Sequence, residues 1–512
     1  MRREHWGTRL GIILAVAGSA VGLGNFLRFP VQAAQNGGGA FMIPYLVALL
    51  FLAIPLCWVE WTMGRAAGAR AHGSGPGILN TFWNHRAARY FGAIGVFIPI
   101  VIYCYYVYIE AWCLGYAWFA LTGELADAAR QGQAAGFLSA FQGLKENQWF
   151  STMGAAFAFF IIAFLANFFV IYLGVARGIE ALSKIAMPLL VILGMILMAR
   201  VLTLGAPDAA QPDWSAFNGL GFMWNPDFGA LADAKVWLAA AGQIFFTSSV
   251  GLGLIITYAS YLKKDDDVAL SGLSAISINE FVEVVIGGSI AIPAAFIFFG
   301  PVGVEAVAKG GSFNLGFVTM PMVFVQMPLA AVMGVLWFFL LFLAGVTSSV
   351  SMLQPAIAFL EDEFKLKRRQ SVAILGAFTF LACQPAIWFL DKGVLDMMDF
   401  WAGTFMIVVF ATGEVIIFSW IYGVDRGFEE MHHGADLRVP GVFKFIIKYV
   451  TPLYLIALLT AWFWQDGIDA LLLRNVPEEN FWYALGAMLG MAGFLALLVI
   501  LVEIAWRRKE AK

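Results

Sequence analysis

The sequence predicts an all-α polytopic membrane protein with twelve transmembrane helices. Of its 512 residues, 61% are hydrophobic and only 13% are charged. The apolar residues gather in runs such as Phe157 to Gly174 and Val335 to Val346, approaching the roughly 20 residues that a membrane-crossing helix requires. The short alternating segments of an outer-membrane barrel are absent.

In chain order the expected spans are 9–36, 39–65, 88–122, 151–173, 178–202, 236–262, 268–299, 321–361, 370–390, 394–422, 441–464 and 480–505. The first and eighth exceed one crossing and leave room for interfacial pieces, and Phe313 to Thr319 reads as a short extracellular helix. Lys and Arg set the orientation. Arg2, Arg3, Arg65, Arg70, Arg86, Arg89, Lys263, Lys264, Lys365 to Arg369, Arg426 to Lys448 and Arg507 to Lys512 all fall on one side, expected to be cytoplasmic. Arg130, Lys145, Lys309, Lys392 and Arg474 are among the few on the other. Both termini are therefore expected in the cytoplasm. The first apolar segment continues without a small-residue cleavage pattern, so it is expected to stay in the mature chain.

A net charge of −3 indicates no nucleic-acid partner; the bilayer is the partner that composition implies. Cys57, Cys104, Cys113 and Cys383 stand singly in apolar segments and read as small packing residues rather than a metal or redox set.

Two spans are interrupted. The first carries Gly18-Ser19-Ala20-Val21-Gly22-Leu23-Gly24-Asn25, followed by Arg28 and Pro30, and the sixth carries Phe245-Phe246-Thr247-Ser248-Ser249-Val250-Gly251-Leu252-Gly253. Backbone that leaves the helix at membrane depth exposes amides and carbonyls, which is costly unless they are buried in protein or line a polar cavity. A ligand, an ion or water is expected at such breaks. Breaks five spans apart point to an inverted repeat with a midplane site, its halves at 9–202 and 236–422, with 441–505 outside the repeat and all within one domain, 1–512. Gly287-Gly288-Ser289 reads instead as close helix packing.

Four polar constellations need a role. Asn25, Thr247 and Asn279 are neutral oxygen donors on three spans, suited to a monovalent cation stripped of water. Thr347 and Ser348, with the Ala344 carbonyl, can meet carbonyls of the first break such as Gly18 and Val21 in a second five-oxygen cage. Glu60, Glu110, Glu283 and Glu414 lie at depth, where an ionisable group often marks an ion or proton path; Glu283 follows Asn279 by one turn on the same face. Arg28 and Asp399 lie at similar outward depth and suit a gate above the site. Tyr103, Tyr105, Tyr106, Phe245 and Phe246 form an aromatic set in which Tyr106 and Phe246 suit a lid.

These residues resemble the neurotransmitter:sodium symporter family (solute carrier 6), and most closely its bacterial leucine-transporter branch. The resemblance spans nearly the whole chain. It is carried by Arg3-Glu4-His5-Trp6, Gly22 to Pro30, Asn36-Gly37-Gly38-Gly39-Ala40-Phe41, Gly242 to Thr247, Ile278-Asn279-Glu280, Ala344 to Ser349 and Asp399-Phe400-Trp401-Ala402-Gly403-Thr404.

The resemblance implies the leucine-transporter fold, a 5+5 inverted repeat with helices 1 and 6 unwound, and alternating-access symport of an amino acid with two sodium ions. The first ion would take the Ala20 carbonyl, Asn25, Thr247, Asn279 and the substrate carboxylate. The second would take the carbonyls of Gly18, Val21 and Ala344 with the hydroxyls of Thr347 and Ser348. The implied substrate pocket is Ser19, Ala20, Gly22, Leu23, Gly24, Ile102, Tyr106, Phe246, Thr247, Ser249, Leu252, Ser348 and Met352. Monoamine members carry an acid at the position of Gly22, so an amino acid is favoured. Ile102, Phe246, Leu252 and Met352 favour a neutral, apolar L-amino acid.

Glu283 stands where chloride-dependent relatives carry a serine, which implies chloride-independent transport, with proton counter-movement from Glu283 as an added possibility. The outer gate would be Arg28 with Asp399, beneath which Tyr106 and Phe246 close; the inner gate would be Arg3 with Asp362, supported by Trp6, Tyr261 and Gln354. The bacterial cytoplasmic membrane is the implied location, and a homodimer is compatible with the chain.

Two other classes are disfavoured. A sensor without turnover needs an appended signalling domain, for which Met1 to Arg9 and Trp506 to Lys512 leave no room. An intramembrane enzyme needs an activated nucleophile or a metal cluster, yet His5, His72, His85, His432 and His433 all lie in expected cytoplasmic segments.

Overall fold

The computed structural model describes residues 4–510, with Asp466 by its backbone alone. Among these residues the chain is helical, with one isolated antiparallel bridge between Gly38 and Pro226. Ten helices are long and apolar enough to cross a membrane: Gly39–Gly68, Arg86–Thr122, Gly154–Leu173, Val175–Leu202, Ala269–Lys309, Ala330–Phe364, Arg368–Trp388, Val394–His432, Val442–Gln465 and Glu478–Glu510. The bent pair Arg9–Ala20 and Gly24–Gln35, at 48°, makes an eleventh span. The segment expected at 236–262 is two shorter helices, Ala234–Ser248 and Leu254–Ala259. Below, spans are numbered 1 to 12 in chain order, with this pair as span 6.

Two boundaries differ from expectation. Span 8 starts at Ala330, not 321, because Leu329 takes a left-handed conformation at φ 61°. Residues 321–324 belong instead to the short apolar helix Gly311–Phe324, longer than the piece expected at 313–319. Span 7 runs on to Lys309 across a kink at Gly300, φ 64°.

Burial sorts the spans into an interior and a rim. The apolar window of span 3 is 94% buried and that of span 12 only 17%, so span 3 threads the bundle while span 12 lies at its rim. Span 3 packs along span 8, and Gly345 allows the approach, since a Cβ there would stand 3.1 Å from Glu110 Cγ.

The breaks have local causes. Val21 is extended, at ψ 97°. In span 6, Ser249, Gly251 and Gly253 all take left-handed φ, at 56°, 72° and 75°. That conformation costs glycine little, but it is unusual for serine. Three such residues within five end the helix at Ser248 and restart it at Leu254.

Candidate functional site

The two breaks touch. Ser249 Oγ donates to the Ser19 carbonyl at 3.1 Å. Amides freed by the unwinding find side chains: Gly22 N–H donates to Asn25 Oδ1 at 2.8 Å, Leu23 N–H to Tyr106 Oη at 3.2 Å and Gly251 N–H to Glu60 Oε1 at 2.5 Å. These bonds answer the backbone requirement that buried amides be paired.

The first oxygen set converges from spans 1, 6 and 7. Asn25 Nδ2 donates to Asn279 Oδ1 at 2.9 Å and to Thr247 Oγ1 at 3.2 Å, and Asn279 Nδ2 donates to Thr247 Oγ1 at 3.0 Å. Glu283 joins them, accepting from Asn25 at 3.1 Å, from Gln243 at 2.8 Å and from Thr247. Asn25, Asn279 and Glu283 are fully buried.

The second set lies between spans 1 and 8. Ser348 Oγ reaches the carbonyls of Ser19 at 3.1 Å and Gly18 at 3.4 Å. Thr347 Oγ1 reaches those of Leu343 at 3.0 Å and Ala344 at 3.2 Å. A Cβ on Gly18 would stand 3.4 Å from Thr347 Cβ, so the two elements are in contact. Val21 N–H bonds the Ala17 carbonyl at 2.7 Å.

Between these sets, Ser19, Ala20, Leu23, Ile102, Tyr106, Leu252 and Met352 keep 5–7% exposure amid largely sealed neighbours, as the wall of a small internal space does. Gly22 borders it: a Cβ there would stand 2.9 Å from Tyr106 Oη and 3.1 Å from Ser348 Oγ. A Cβ on Gly24 would meet the Phe246 ring.

On one side of the site lies a cavity of about 290 Å³ whose lining includes Tyr106, Phe246, Arg28, Tyr105, Asp396 and Asp399. Arg28 and Asp399 face it without pairing. The Arg28 guanidinium lies over the Phe246 ring, 4.5 Å from its centroid, while Asp399 Oδ1 accepts from Tyr105 Oη at 2.5 Å.

At the opposite end, the segment before span 1, span 6 and span 8 are tied together by side-chain bonds. Trp6 Nε1 donates to the Tyr258 carbonyl at 2.8 Å and its ring meets that of Tyr258 edge-on. Gln354 Nε2 donates to Tyr261 Oη at 2.6 Å, and Arg368 donates to Gln354 Oε1 at 3.0 Å. Asp362 is engaged as well, and Arg3 lies outside the described residues.

Sequence reasoning passed over Gln243, whose signal was its place four residues before Thr247 on the same helix face. It also passed over Ser351, which bonds Ser19 Oγ at 2.8 Å and follows Ser348 by nearly a turn. Glu60 was singled out for depth alone; its bond to Gly251 has no sequence signal. Arg368 was read only as part of a topogenic basic run.

The sodium:neurotransmitter symporter family model matches residues 3–133 and 131–505. A sodium-dependent transporter of Methanocaldococcus jannaschii is 31% identical over 518 residues, covering 98% of each chain. The human sodium- and chloride-dependent GABA transporter 2 is 26% identical over 493 residues, 88% of this chain and 78% of its own. Among solved structures, MhsT in complex with L-phenylalanine aligns with a TM-score of 0.77 and 29% identity, covering 89% of this chain and 99% of that one. These relatives are transporters, not enzymes. The chain belongs to the sodium:neurotransmitter symporter family and is a sodium-dependent transporter with the leucine-transporter fold.

Proposed function

We propose that this transporter couples sodium entry to uptake of a neutral, hydrophobic L-amino acid, independently of chloride, by alternating access. The observation that carries the substrate class is the closure around Gly22. The position is glycine, with Tyr106 Oη and Ser348 Oγ about 3 Å from where a Cβ would begin, so the site offers no acidic side chain there to hold an amine. The anionic ligand is then the substrate's own carboxylate, placed near the amino-terminal end of the half-helix Gly24–Gln35, whose dipole favours it.

The side-chain wall of Ile102, Phe246, Leu252 and Met352 carries no charge, and the L-phenylalanine held by MhsT supports an apolar ligand. Glu283, bonded to Asn25, Gln243 and Thr247, brings a carboxyl group to where a chloride-dependent relative needs an anion.

Two sodium ions are the co-substrates. One is held by the Ala20 carbonyl, Asn25, Thr247, Asn279 and the substrate carboxylate; the other by the carbonyls of Gly18, Val21 and Ala344 with Thr347 and Ser348. Sharing the carboxylate makes ion and amino acid mutually stabilising. Each sodium entering down about 100 mV adds roughly 2.3 kcal/mol. The halves 9–202 and 236–422 are the repeats, both termini lie in the cytoplasm, and the broken-helix bundle rocks against the remaining spans.

The test is uptake of radiolabelled amino acids into proteoliposomes under a sodium gradient, with sodium or chloride replaced in turn. Accumulation of an apolar amino acid that needs sodium and ignores chloride is expected. Specific binding without accumulation overturns the symport reading in favour of a sensor.

A further inference from the structure

A cavity of about 590 Å³ lies on the lipid-facing side of the bundle, between spans 3, 9, 10 and 12, away from the substrate site. One wall is the glycine face of span 12: Gly486, Gly490 and Gly493 line it, and a Cβ on any of them would meet nothing within 4 Å. Aromatic pairs hold span 12 against the bundle above and below this stretch. Tyr483 meets Phe389 at 5.0 Å, and Phe494 meets Phe378 at 4.8 Å and Phe97 at 5.7 Å. The gap therefore cannot close by span 12 simply settling inward.

Void of this size forfeits the dispersion contacts of its whole lining, so matter fills it. Span 12 is the least buried of the crossing helices, with 17% of its apolar window buried, and Leu489 on its outer flank is exposed. Hydrocarbon is what surrounds the opening. At the lip, Trp482 is 76% exposed, as aromatic residues at the headgroup level are.

The back wall gives the cavity a further meaning. Val101 and Cys104 of span 3 face it, while their neighbours Tyr105 and Tyr106 line the cavity beside the substrate site; Met398 of span 10 faces it, while Asp399 lines that second cavity. One layer of helix separates the two spaces, and the Tyr105–Asp399 bond of 2.5 Å bridges the same two spans.

We propose that this cavity is an allosteric lipid site: an acyl chain of a bilayer phospholipid enters beside Trp482, lies along the glycines of span 12 and biases the outer gate through spans 3 and 10. Closing Arg28 on Asp399 moves span 10, which is a wall of both spaces, so the chain fits the open and closed gate differently. A ligand shifts an equilibrium only by such a difference.

The test uses the full chain in nanodiscs containing a phospholipid with a photoreactive diazirine in its acyl chain. Adducts are expected in the peptide 481–497, above their level on the lipid face of span 4 around Leu165. Gly490→Phe, which fills the cavity, is expected to cut that adduct at least fivefold and to shift half-saturation for the transported amino acid at least threefold. Leu489→Phe, on the exposed flank, is expected to do neither, and Gly486→Leu gives an independent filling variant should Gly490→Phe not fold. Adducts no richer than on span 4, or unchanged by either filling variant, overturn the site. A second copy of the chain covering the groove would also exclude the probe and overturn it. Adducts lost without a kinetic change overturn the coupling to the gate. The cross-linking readout stands whatever the substrate proves to be.

Discussion

Ser349 Oγ stands 2.6 Å from Glu110 Oε2 and 2.7 Å from Asn167 Oδ1. The Asn167 amide is oriented by its own donations, to the Ala163 carbonyl at 2.9 Å and to both Glu110 oxygens at 3.1 Å. One serine hydrogen cannot serve two acceptors. The set closes when the Glu110 carboxyl itself carries a hydrogen, donates to Ser349 and leaves the serine hydroxyl for Asn167.

Glu110→Gln reproduces that pattern, because the amide donates to Ser349 and accepts from Asn167. Uptake within about twofold of the parent is expected for this variant, since each bond is replaced by one of similar worth. Ser349→Ala strands two buried polar atoms and is expected to destabilise the fold by about 1–3 kcal/mol, read by thermal denaturation in detergent. Ser349 adjoins Thr347 and Ser348, so Ser349→Ala should also weaken half-saturation for sodium more than that for the amino acid.

Glu60 is fully buried, and its Oε1 accepts the Gly251 amide that span 6 leaves without a helical partner. Glu60→Ala removes that acceptor at membrane depth, where an unpaired amide costs several kcal/mol. Sodium-driven uptake is expected to fall at least tenfold while surface expression stays within twofold. Gly251→Val meets a second obstacle: at φ 72° a Cβ would stand 2.8 Å from the Ile407 carbonyl. It is expected to be as inactive as Glu60→Ala.

Much of this was legible from residue types. Small residues with Asn25 and Thr247 mark both breaks because leaving a helix inside a membrane needs glycine-like freedom and polar partners at once. What stayed hidden is what the fold brings together from distant spans. Nothing local tells that Glu60 of span 2 meets Gly251 of span 6, or that Asn167 of span 4 completes Glu110 and Ser349. The start of span 8 was misread because hydropathy continues smoothly through 321–329 while the backbone reverses at Leu329. Arg28 and Asp399 were matched by depth and opposite charge, yet each has a nearer neighbour, Phe246 and Tyr105.

Glu283 supplies the next prediction. It shares Thr247 with Asn279 and Asn25, so replacing it removes a carboxyl group from beside the first ion set directly. Glu283→Ser is expected to make uptake depend on chloride, at least fivefold between chloride and gluconate media, with the parent unaffected. Equal uptake of Glu283→Ser in both media would remove the basis for assigning the carboxyl group this role.

Gly22→Asp would place a carboxylate against Tyr106 Oη and Ser348 Oγ and opposite the substrate's own carboxylate. Like charges meeting in a closed site cost several kcal/mol, so amino-acid uptake is expected to fall by about 100-fold or more. Gly22→Ala separates charge from bulk: its Cβ is 2.9 Å from the end of the Tyr106 side chain, a contact that a slight ring shift relieves. Uptake is expected to survive in Gly22→Ala within about tenfold, with Kd weakened by roughly 1 kcal/mol of overpacking.

In the proposed outer gate, Arg28 leaves the face of Phe246 to reach Asp399, whose Oδ1 is already engaged by Tyr105. A hydrogen bond to a charged group is worth about 1.5–3 kcal/mol, so in so far as Asp399 must turn away from Tyr105 to meet Arg28, the Tyr105 hydroxyl opposes closure by up to roughly tenfold in population. Tyr105→Phe removes that hold without touching Arg28 or Asp399. Ser312 lines the vestibule, and the native cysteines are all buried. A Ser312→Cys reporter should therefore be labelled selectively by a charged thiol reagent. With sodium and substrate present, Tyr105→Phe is expected to slow that labelling at least threefold. Asp399→Asn, which weakens the closing ion pair, is expected to quicken it. Labelling rates that match the parent in both variants would show that the vestibule closes by some contact other than Arg28 with Asp399.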